Sequence, residues 1–296
     1  MRFPGIIPAV TTPFDDEGSI DLPALERNVG ALLEAGVHGF VATGTMGEAG
    51  SLSATERASV VGAVVAAADG RAPVIAGVSS GTPDASVAYA RDAAAAGAEA
   101  IMLLPPLGYH ADGREIVAFY AAVADGAGLP VMAYNNPQSS GTDMPVELIA
   151  RLAADVPGVV AVKECSGDAR RIAALLAVVP VDTEILVGGD DWALEGLLAG
   201  ATGWVSGVAD CAPSECVELY DACAAADLDR ARAVYARLLP LARLDMSPKL
   251  VQYFKAAQDA LGYTGGPVRA PRLPLAEADR GVLAAALDAL KAPAAV

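Results

Sequence analysis

The chain has 296 residues, 54% of them hydrophobic, and a formal net charge of −16. That length suits either two average domains or one large α/β barrel, and in both cases a sizeable core can be buried. The negative charge argues against a nucleic-acid partner, which is gripped by basic patches, and no apolar run reaches the roughly 18 residues of a membrane span.

The first residues, Met1-Arg2-Phe3-Pro4-Gly5, lack the pattern of a signal peptide, so a cytoplasmic protein is expected. Eight short apolar runs, each bounded by Gly, Pro or polar residues, then read as strands: residues 5–10, 39–43, 73–78, 100–104, 130–134, 159–163, 184–187 and 203–208. A helical pattern follows each run. Segments 22–35, 53–68 and 82–96 are Ala-rich, with apolar residues at helical spacing. Ser53-Ala54-Thr55-Glu56 forms a capping box, and Thr82-Pro83-Asp84 puts proline and an acid in a first helical turn.

Continuously apolar strands are buried on both faces, which calls for a parallel sheet with helices outside it. Eight strand-helix units match a closed (β/α)8 TIM barrel, with a doubly wound open sheet as the alternative. The barrel strands and helices occupy 1–212. Residues 213–296 read as helices over 213–226, 229–239, 248–261 and 276–290. They exceed one barrel helix, so a last barrel helix and a C-terminal helical extension are expected in one continuous domain.

In such barrels the active site lies at the carboxyl ends of the strands, and three unusual segments fall there. The sixth run ends in Lys163, one of only four lysines. Lys249, Lys255 and Lys291 lie in segments that read as helix, where their ammonium heads can reach water. An amine carried by a buried strand is partly out of water, which disfavours its charged form, and the neutral amine is a nucleophile. Pairing with Glu164 is the alternative. The second run enters Gly44-Thr45-Met46-Gly47-Glu48, either an anion-binding nest suited to a carboxylate or a plain tight turn. The fifth ends at Tyr134, either an aromatic cap on the core or an acid-base partner for an imine-forming lysine.

Metal and disulfide chemistry find little support. Cys165, Cys211, Cys216 and Cys223 show no CxxC spacing and read as buried thiols, with Cys165 close enough to Lys163 to line the same cavity. His38 and His110 form no HxH or HExxH arrangement. A zinc or histidine-based metal site is therefore not expected.

Together these motifs carry a resemblance. Gly5-Ile6-Ile7-Pro8-Ala9-Val10-Thr11-Thr12-Pro13-Phe14, the loop from Gly44 to Glu48, Tyr134-Asn135 and Val162-Lys163-Glu164 resemble the dihydrodipicolinate synthase and N-acetylneuraminate lyase superfamily over essentially the whole chain. The resemblance implies a (β/α)8 barrel with a C-terminal helical region, usually tetrameric. It also implies action on small 2-oxo acids through a lysine Schiff base, without metal or organic cofactor. By the same resemblance Lys163 forms the imine, Tyr134 shuttles protons, and Thr45 hydrogen-bonds the tyrosine and helps hold the substrate carboxylate beside Gly44, Met46 and Gly47. Gly189 and Asp191 after the seventh strand, and Ser206 and Gly207 after the eighth, fall where relatives contact the distal part of a substrate; Asp191 reads equally as a helix cap.

Some positions depart from the synthase pattern. Met46 replaces a threonine, residues 136–141 contain no arginine, and Pro105-Pro106-Leu107-Gly108-Tyr109 lacks a pair of tyrosines. Losing a guanidinium that grips a second carboxylate argues against condensation with aspartate semialdehyde. Tyr134-Asn135-Asn136-Pro137, Lys163-Glu164-Cys165-Ser166-Gly167-Asp168, Gly203-Trp204-Val205-Ser206-Gly207, Lys249-Leu250-Val251-Gln252-Tyr253 and the segment from Val268 to Leu275 are similar to the 1-pyrroline-4-hydroxy-2-carboxylate deaminases. That resemblance implies attack of Lys163 on C2 of a cyclic imine, ring opening, loss of the C4 hydroxyl, and release of 2,5-dioxopentanoate and ammonia. A 4-hydroxy-tetrahydrodipicolinate synthase, a 2-keto-3-deoxy sugar acid aldolase or dehydratase, and a catalytically silent barrel that binds a 2-oxo acid are the alternatives.

Overall fold

The computed structural model describes residues 2–292; residue 1 and the last part of the expected extension, residues 293–296, lie outside the described residues. Strands and helices alternate from the start: β1 (Gly5–Pro8), α1 (Leu22–Glu34), β2 (Phe40–Ala42), α2 (Ala54–Ala68), β3 (Val74–Gly77), α3 (Pro83–Ala95), β4 (Ala100–Leu103) and α4 (Gly113–Ala127). The second half continues with β5 (Val131–Asn135), α5 (Pro137–Ser140), α6 (Val146–Asp155), β6 (Val159–Glu164), α7 (Arg170–Leu176), β7 (Glu184–Val187), α8 (Ala193–Leu198) and β8 (Gly203–Ser206). All eight expected strands form, each within a residue or two of its apolar run.

Neighbouring strands pair in parallel in the order β1-β8-β7-β6-β5-β4-β3-β2. A parallel bridge between Ala9 and Val41 joins the two ends. The sheet is therefore a closed barrel and not an open, doubly wound one. The expected caps are in place too: Ser53 and Glu56 exchange bonds at the start of α2, and the Thr82 hydroxyl accepts from the Ala85 amide above Pro83.

Beyond the barrel lie α9 (Pro213–Ala224), α10 (Leu228–Ala242), α11 (Leu250–Leu261) and α12 (Glu277–Lys291). Both α9 and α12 pack on α10. A short 3-10 turn, Arg243–Met246, links α10 to α11 and brings the extension over the barrel mouth. Among the described residues no helix is long and apolar enough to cross a membrane.

One expectation fails here. Lys255 is not solvated but fully buried, its Nζ 2.9 Å from Glu48 Oε1 and also donating to the Pro267 carbonyl. The helix forms where its pattern places it, but a helical pattern does not say which helix face meets the barrel. Glu48 sits in the left-handed backbone region, at φ 53°, which a non-glycine residue rarely occupies. Its carboxylate also accepts from the Arg269 amide at 3.1 Å and lies 3.4 Å from Arg272 Nη1. The C-terminal segment thus clamps the loop that carries Thr45. Removing one partner of a buried pair strands the other, at a cost of about 3–5 kcal/mol. Lys255→Ala is accordingly expected to lower the unfolding free energy by about 3 kcal/mol or more in urea titrations, and a change under about 1 kcal/mol would mean that the clamp contributes little.

Candidate active site

Parallel pairing sets Tyr134 of β5 opposite Lys163 of β6, and Asn135 opposite Glu164. Cross-strand neighbours in register point to the same side of the sheet. Tyr134 and Lys163 therefore face the cavity together, while Asn135 and Glu164 turn away from it. The Lys163 Nζ lies 4.4 Å from the centre of the Tyr134 ring, and both side chains are buried.

Glu164 does not pair with the lysine beside it. Its carboxylate accepts from Asn135 Nδ2 at 3.1 Å, from the Ser166 amide at 2.7 Å and from Arg171 Nε at 3.2 Å. The Asn135 carbonyl oxygen in turn accepts from the Met144 amide at 2.9 Å. This network fastens the ends of β5 and β6 to the segment before α6. It also uses up the nearest acid in sequence, so among the described residues Lys163 has no ion-pair partner.

Space for the lysine comes from Gly188, at the end of β7. A Cβ there would sit 2.9 Å from Lys163 Cε, 2.8 Å from Cys165 Cβ and 2.8 Å from the Glu164 carbonyl oxygen. Any side chain would displace the amine. The cavity is lined by Lys163, Tyr134, Thr45, Met46, Gly44 and Gly207 among others.

Asn136 positions the phenol. Its Nδ2 donates to the Tyr134 hydroxyl at 2.7 Å and approaches Cys165 Sγ at 3.6 Å, while its Oδ1 accepts from the Ser139 amide at the start of α5. With the phenol oxygen already accepting, its O–H is left to donate into the cavity. Burial, reinforced by the neighbouring Cys165, raises the Tyr134 phenol well above its ordinary value, and burial likewise raises the Cys165 thiol. At neutral pH Tyr134 therefore rests as a phenol that can take a proton only after giving one, and Cys165 is a thiol and not a thiolate nucleophile.

The remaining site residues divide. Gly44, Thr45 and Met46 line the cavity wall, whereas Gly47 lies behind it, with its carbonyl accepting from Thr12 Oγ1 at 2.8 Å. The structure pairs the Tyr134 hydroxyl with Asn136 and not with Thr45, because Asn136 follows β5 directly and its amide reaches back to the ring. After β7 it is Gly188 and not Gly189 that faces the cavity. Asp191 lies outside the lining, half-buried, with its carboxyl raised by desolvation. After β8, Gly207 is on the wall, but Ser206 is fully buried and donates to Asp190 Oδ1 at 2.9 Å.

Sequence reasoning missed Asn136, Gln138, Ser139, Gly188 and Asp245 on the wall. The Gly188-Gly189 pair at a strand end was a usable signal for one of them. An adjoining chamber shares Thr45, Tyr134 and Ser139 with the cavity and holds Arg57 and Arg272 on its far side. Among the described residues no group of three or more His, Cys, Asp or Glu is arranged to hold a metal.

A buried, unpaired lysine beside a protonated phenol at the carboxyl end of barrel strands is the arrangement of an imine-forming enzyme. The model of the dihydrodipicolinate synthetase family matches residues 2–290. The chain belongs to this family. It is 35% identical over 285 residues to a 4-hydroxy-tetrahydrodipicolinate synthase of Methanothrix thermoacetophila, covering 95% of each chain. It is also 35% identical to an uncharacterized DapA-like lyase of Halobacterium salinarum, over 96% of this chain and 92% of that one. Among solved structures, the 4-hydroxy-tetrahydrodipicolinate synthase of Methylacidiphilum fumariolicum superposes with a TM-score of 0.93 at 28% identity, covering 98% and 96% of the two chains. The chloride-inhibited dihydrodipicolinate synthase of Acinetobacter baumannii complexed with pyruvate gives 0.90 at 30%, covering 98% and 99%. The chain is thus a class I lyase of this family, with the barrel and C-terminal helices seen in those structures.

The hydrogen bond from Asn136 is open to a direct check. Replacing it with leucine removes the donor that aims the phenol, worth about 0.5–1.5 kcal/mol for a neutral bond. Asn136→Leu is therefore expected to slow adduct formation with pyruvate about threefold to tenfold, read as the rate of borohydride-trapped protein in mass spectra. An unchanged rate would show that Tyr134 is aimed by packing alone.

Proposed function

We propose that Lys163 forms a Schiff base with C2 of a small 2-oxo acid, or of its cyclic imine, and that the substrate carries one carboxylate and an uncharged distal part. The observation that carries this reading is the buried Lys163 amine, 4.4 Å from the Tyr134 ring and without an ion-pair partner among the described residues. The reading gives each wall residue a role. The Lys163 amine attacks C2, and the Tyr134 phenol supplies the proton with which the displaced group leaves. Thr45, with Gly44 and Met46, faces the substrate carboxylate. The resulting iminium is an electron sink that acidifies C3 and opens the way to loss of a group at C4.

The distal part follows from the wall. Where synthases are expected to carry a guanidinium, this cavity has Gln138 and Ser139, and its one acid is Asp245. A second carboxylate would meet hydroxyl, amide and a like charge there. Dehydrating deamination of 1-pyrroline-4-hydroxy-2-carboxylate fits these walls: ring opening at Lys163, loss of the C4 hydroxyl and hydrolysis to 2,5-dioxopentanoate and ammonia.

Condensation of pyruvate with aspartate semialdehyde is the second reading. The names of the relatives favour it, and none of those relatives is described as a deaminase. Arg272, in the chamber beyond Ser139, is the nearest candidate to receive a second carboxylate. A cytoplasmic homotetramer belongs to the same proposal by family likeness.

Borohydride reduction with pyruvate is expected to leave a single adduct on Lys163 and none on Lys163→Ala, while Tyr134→Phe lowers turnover by about 10²-fold or more. An adduct formed equally well without Lys163 would dismiss the imine assignment. Turnover is then compared for the two substrate systems. Deamination without condensation is the expected result, and efficient condensation without deamination would transfer the assignment to the synthase reading.

A further inference from the structure

A ligand with one carboxylate leaves the charges of the cavity unbalanced. Among the described residues the wall holds one cation, Lys163, and one acid, Asp245. As an iminium, Lys163 would stand beside the C1 carboxylate of its own substrate. Asp245 is then without a counter-charge, since it has no ion-pair partner among the described residues. A carboxylate drawn partly out of water and left unpaired is costly, and a ligand that brings a cation to it relieves that cost.

Asp245 belongs to the 3-10 turn Arg243–Met246 of the C-terminal extension. Its Oδ2 accepts from the Asp190 amide at a long 3.4 Å, and its Oδ1 accepts no hydrogen bond from the described residues. Gly207 keeps that oxygen uncovered, because a Cβ there would stand 3.4 Å from Asp245 Oδ1, 3.3 Å from Asp190 Oδ2 and 3.0 Å from Phe254 Cε2. Asp190 cannot serve in its place. It is fully buried outside the cavity lining, and its carboxylate already accepts from Trp204 Nε1 at 2.9 Å, Ser206 Oγ at 2.9 Å and the Val208 amide at 2.7 Å. One acid oxygen therefore stays open to whatever lies across the cavity from Lys163.

We propose that Asp245 selects the distal end of the ligand, holding an ammonium there and turning away a second carboxylate. The substrate class is then a five-carbon 2-oxo acid with an amine at C5, entering as its cyclic imine, and this assignment rests on the imine reading above. The distal end is uncharged on entry and gains its charge only when the ring opens.

Ring opening creates the ammonium inside the cavity. The Lys163 lone pair bonds to C2, and the two electron pairs of the ring C2=N bond end as N–H bonds on the ring nitrogen. One of the two protons comes from the Lys163 amine, whose N–H pair becomes the double bond of the iminium, and the other comes from the Tyr134 phenol. The freed alkyl amine then takes a proton from water, as such amines do at neutral pH. The iminium now stands with the C1 carboxylate and the ammonium with Asp245. A carboxylate at C5 would instead set two like charges together.

Five-carbon 2-oxo acids that differ at C5 isolate the effect. There 2-oxopentanoate is neutral, 2-oxoglutarate carries a carboxylate, and 5-amino-2-oxopentanoate, which interconverts with its cyclic imine, carries the amine. Burial pushes the Asp245 carboxyl up to about 6, so in mildly alkaline buffer it is ionised. In that buffer each acid competes with pyruvate for the intact protein, borohydride fixes the adducts, and mass spectra give their shares on Lys163. The amine is expected to exceed 2-oxopentanoate about tenfold or more, and 2-oxoglutarate to fall below 2-oxopentanoate by a similar factor. Asp245→Asn should shrink both differences to about threefold or less, while Asp245→Glu keeps the order, which a purely structural role would not predict. A parent protein that traps pyruvate but takes the amine no better than 2-oxopentanoate overturns this proposal alone, as does an Asp245→Asn protein that keeps the parent's differences. A parent protein that traps no pyruvate overturns the imine reading, and this proposal with it.

Discussion

A lysine amine held in a buried cavity without a carboxylate on it is the condition that the rest of this site depends on. An amine next in sequence to a glutamate would ordinarily pair with it, and a paired ammonium is no nucleophile. The strand prevents that. Alternation sends Glu164 to the outer side of β6, where Asn135, the Ser166 amide and Arg171 satisfy it. Gly188, just after β7, then leaves the volume through which Lys163 extends. Selectivity between the two sides of one strand, and not any special property of the lysine, separates the structural ion pair from the reactive amine.

The C-terminal extension is the second requirement. It sends Lys255 down to Glu48, and with it a clamp on the loop that carries Gly44, Thr45 and Met46. It also brings Asp245 to the mouth, against the Asp190 scaffold. Both connections join residues far apart in the chain, so neither the Thr45 wall nor Asp245 would hold its place on an isolated eight-stranded barrel. A family fold whose barrel end is finished by helices beyond the eighth strand can vary its chemistry through those helices while the strands stay fixed.

What was legible in the sequence was what local pattern controls. Eight apolar runs marked the strands, Ser53 and Thr82 marked helix starts, and strand-end position singled out Lys163 and Tyr134. The misses share a physical cause. Lys255 read as solvated because helical spacing gives a face but not the partner it meets. Asn136 stands in a sequence motif that gives it no role, since its bond to the Tyr134 hydroxyl depends on how the chain turns into α5. Asp245 lies in a turn between helices, where no periodicity applies, and its place on the wall exists only after α10 and α11 have docked. Gly189 and Gly188 are adjacent, and a shift of one residue decides which of them faces the amine.

The charges around the cavity also constrain the substrate. Among the described residues Lys163 is the only cation on the wall, and as the proposed iminium its charge would face the substrate's own carboxylate across C2. A second carboxylate at the distal end would need its own cation. The two guanidiniums within reach are both engaged in the adjoining chamber: Arg272 beside Glu48 at 3.4 Å, and Arg57 stacked 4.3 Å over the Tyr89 ring and donating to the Ala49 carbonyl. Drawing Arg272 inward would weaken the grip on Glu48 that keeps the Thr45 loop in its left-handed turn. A neutral, hydroxylated distal end needs no such movement.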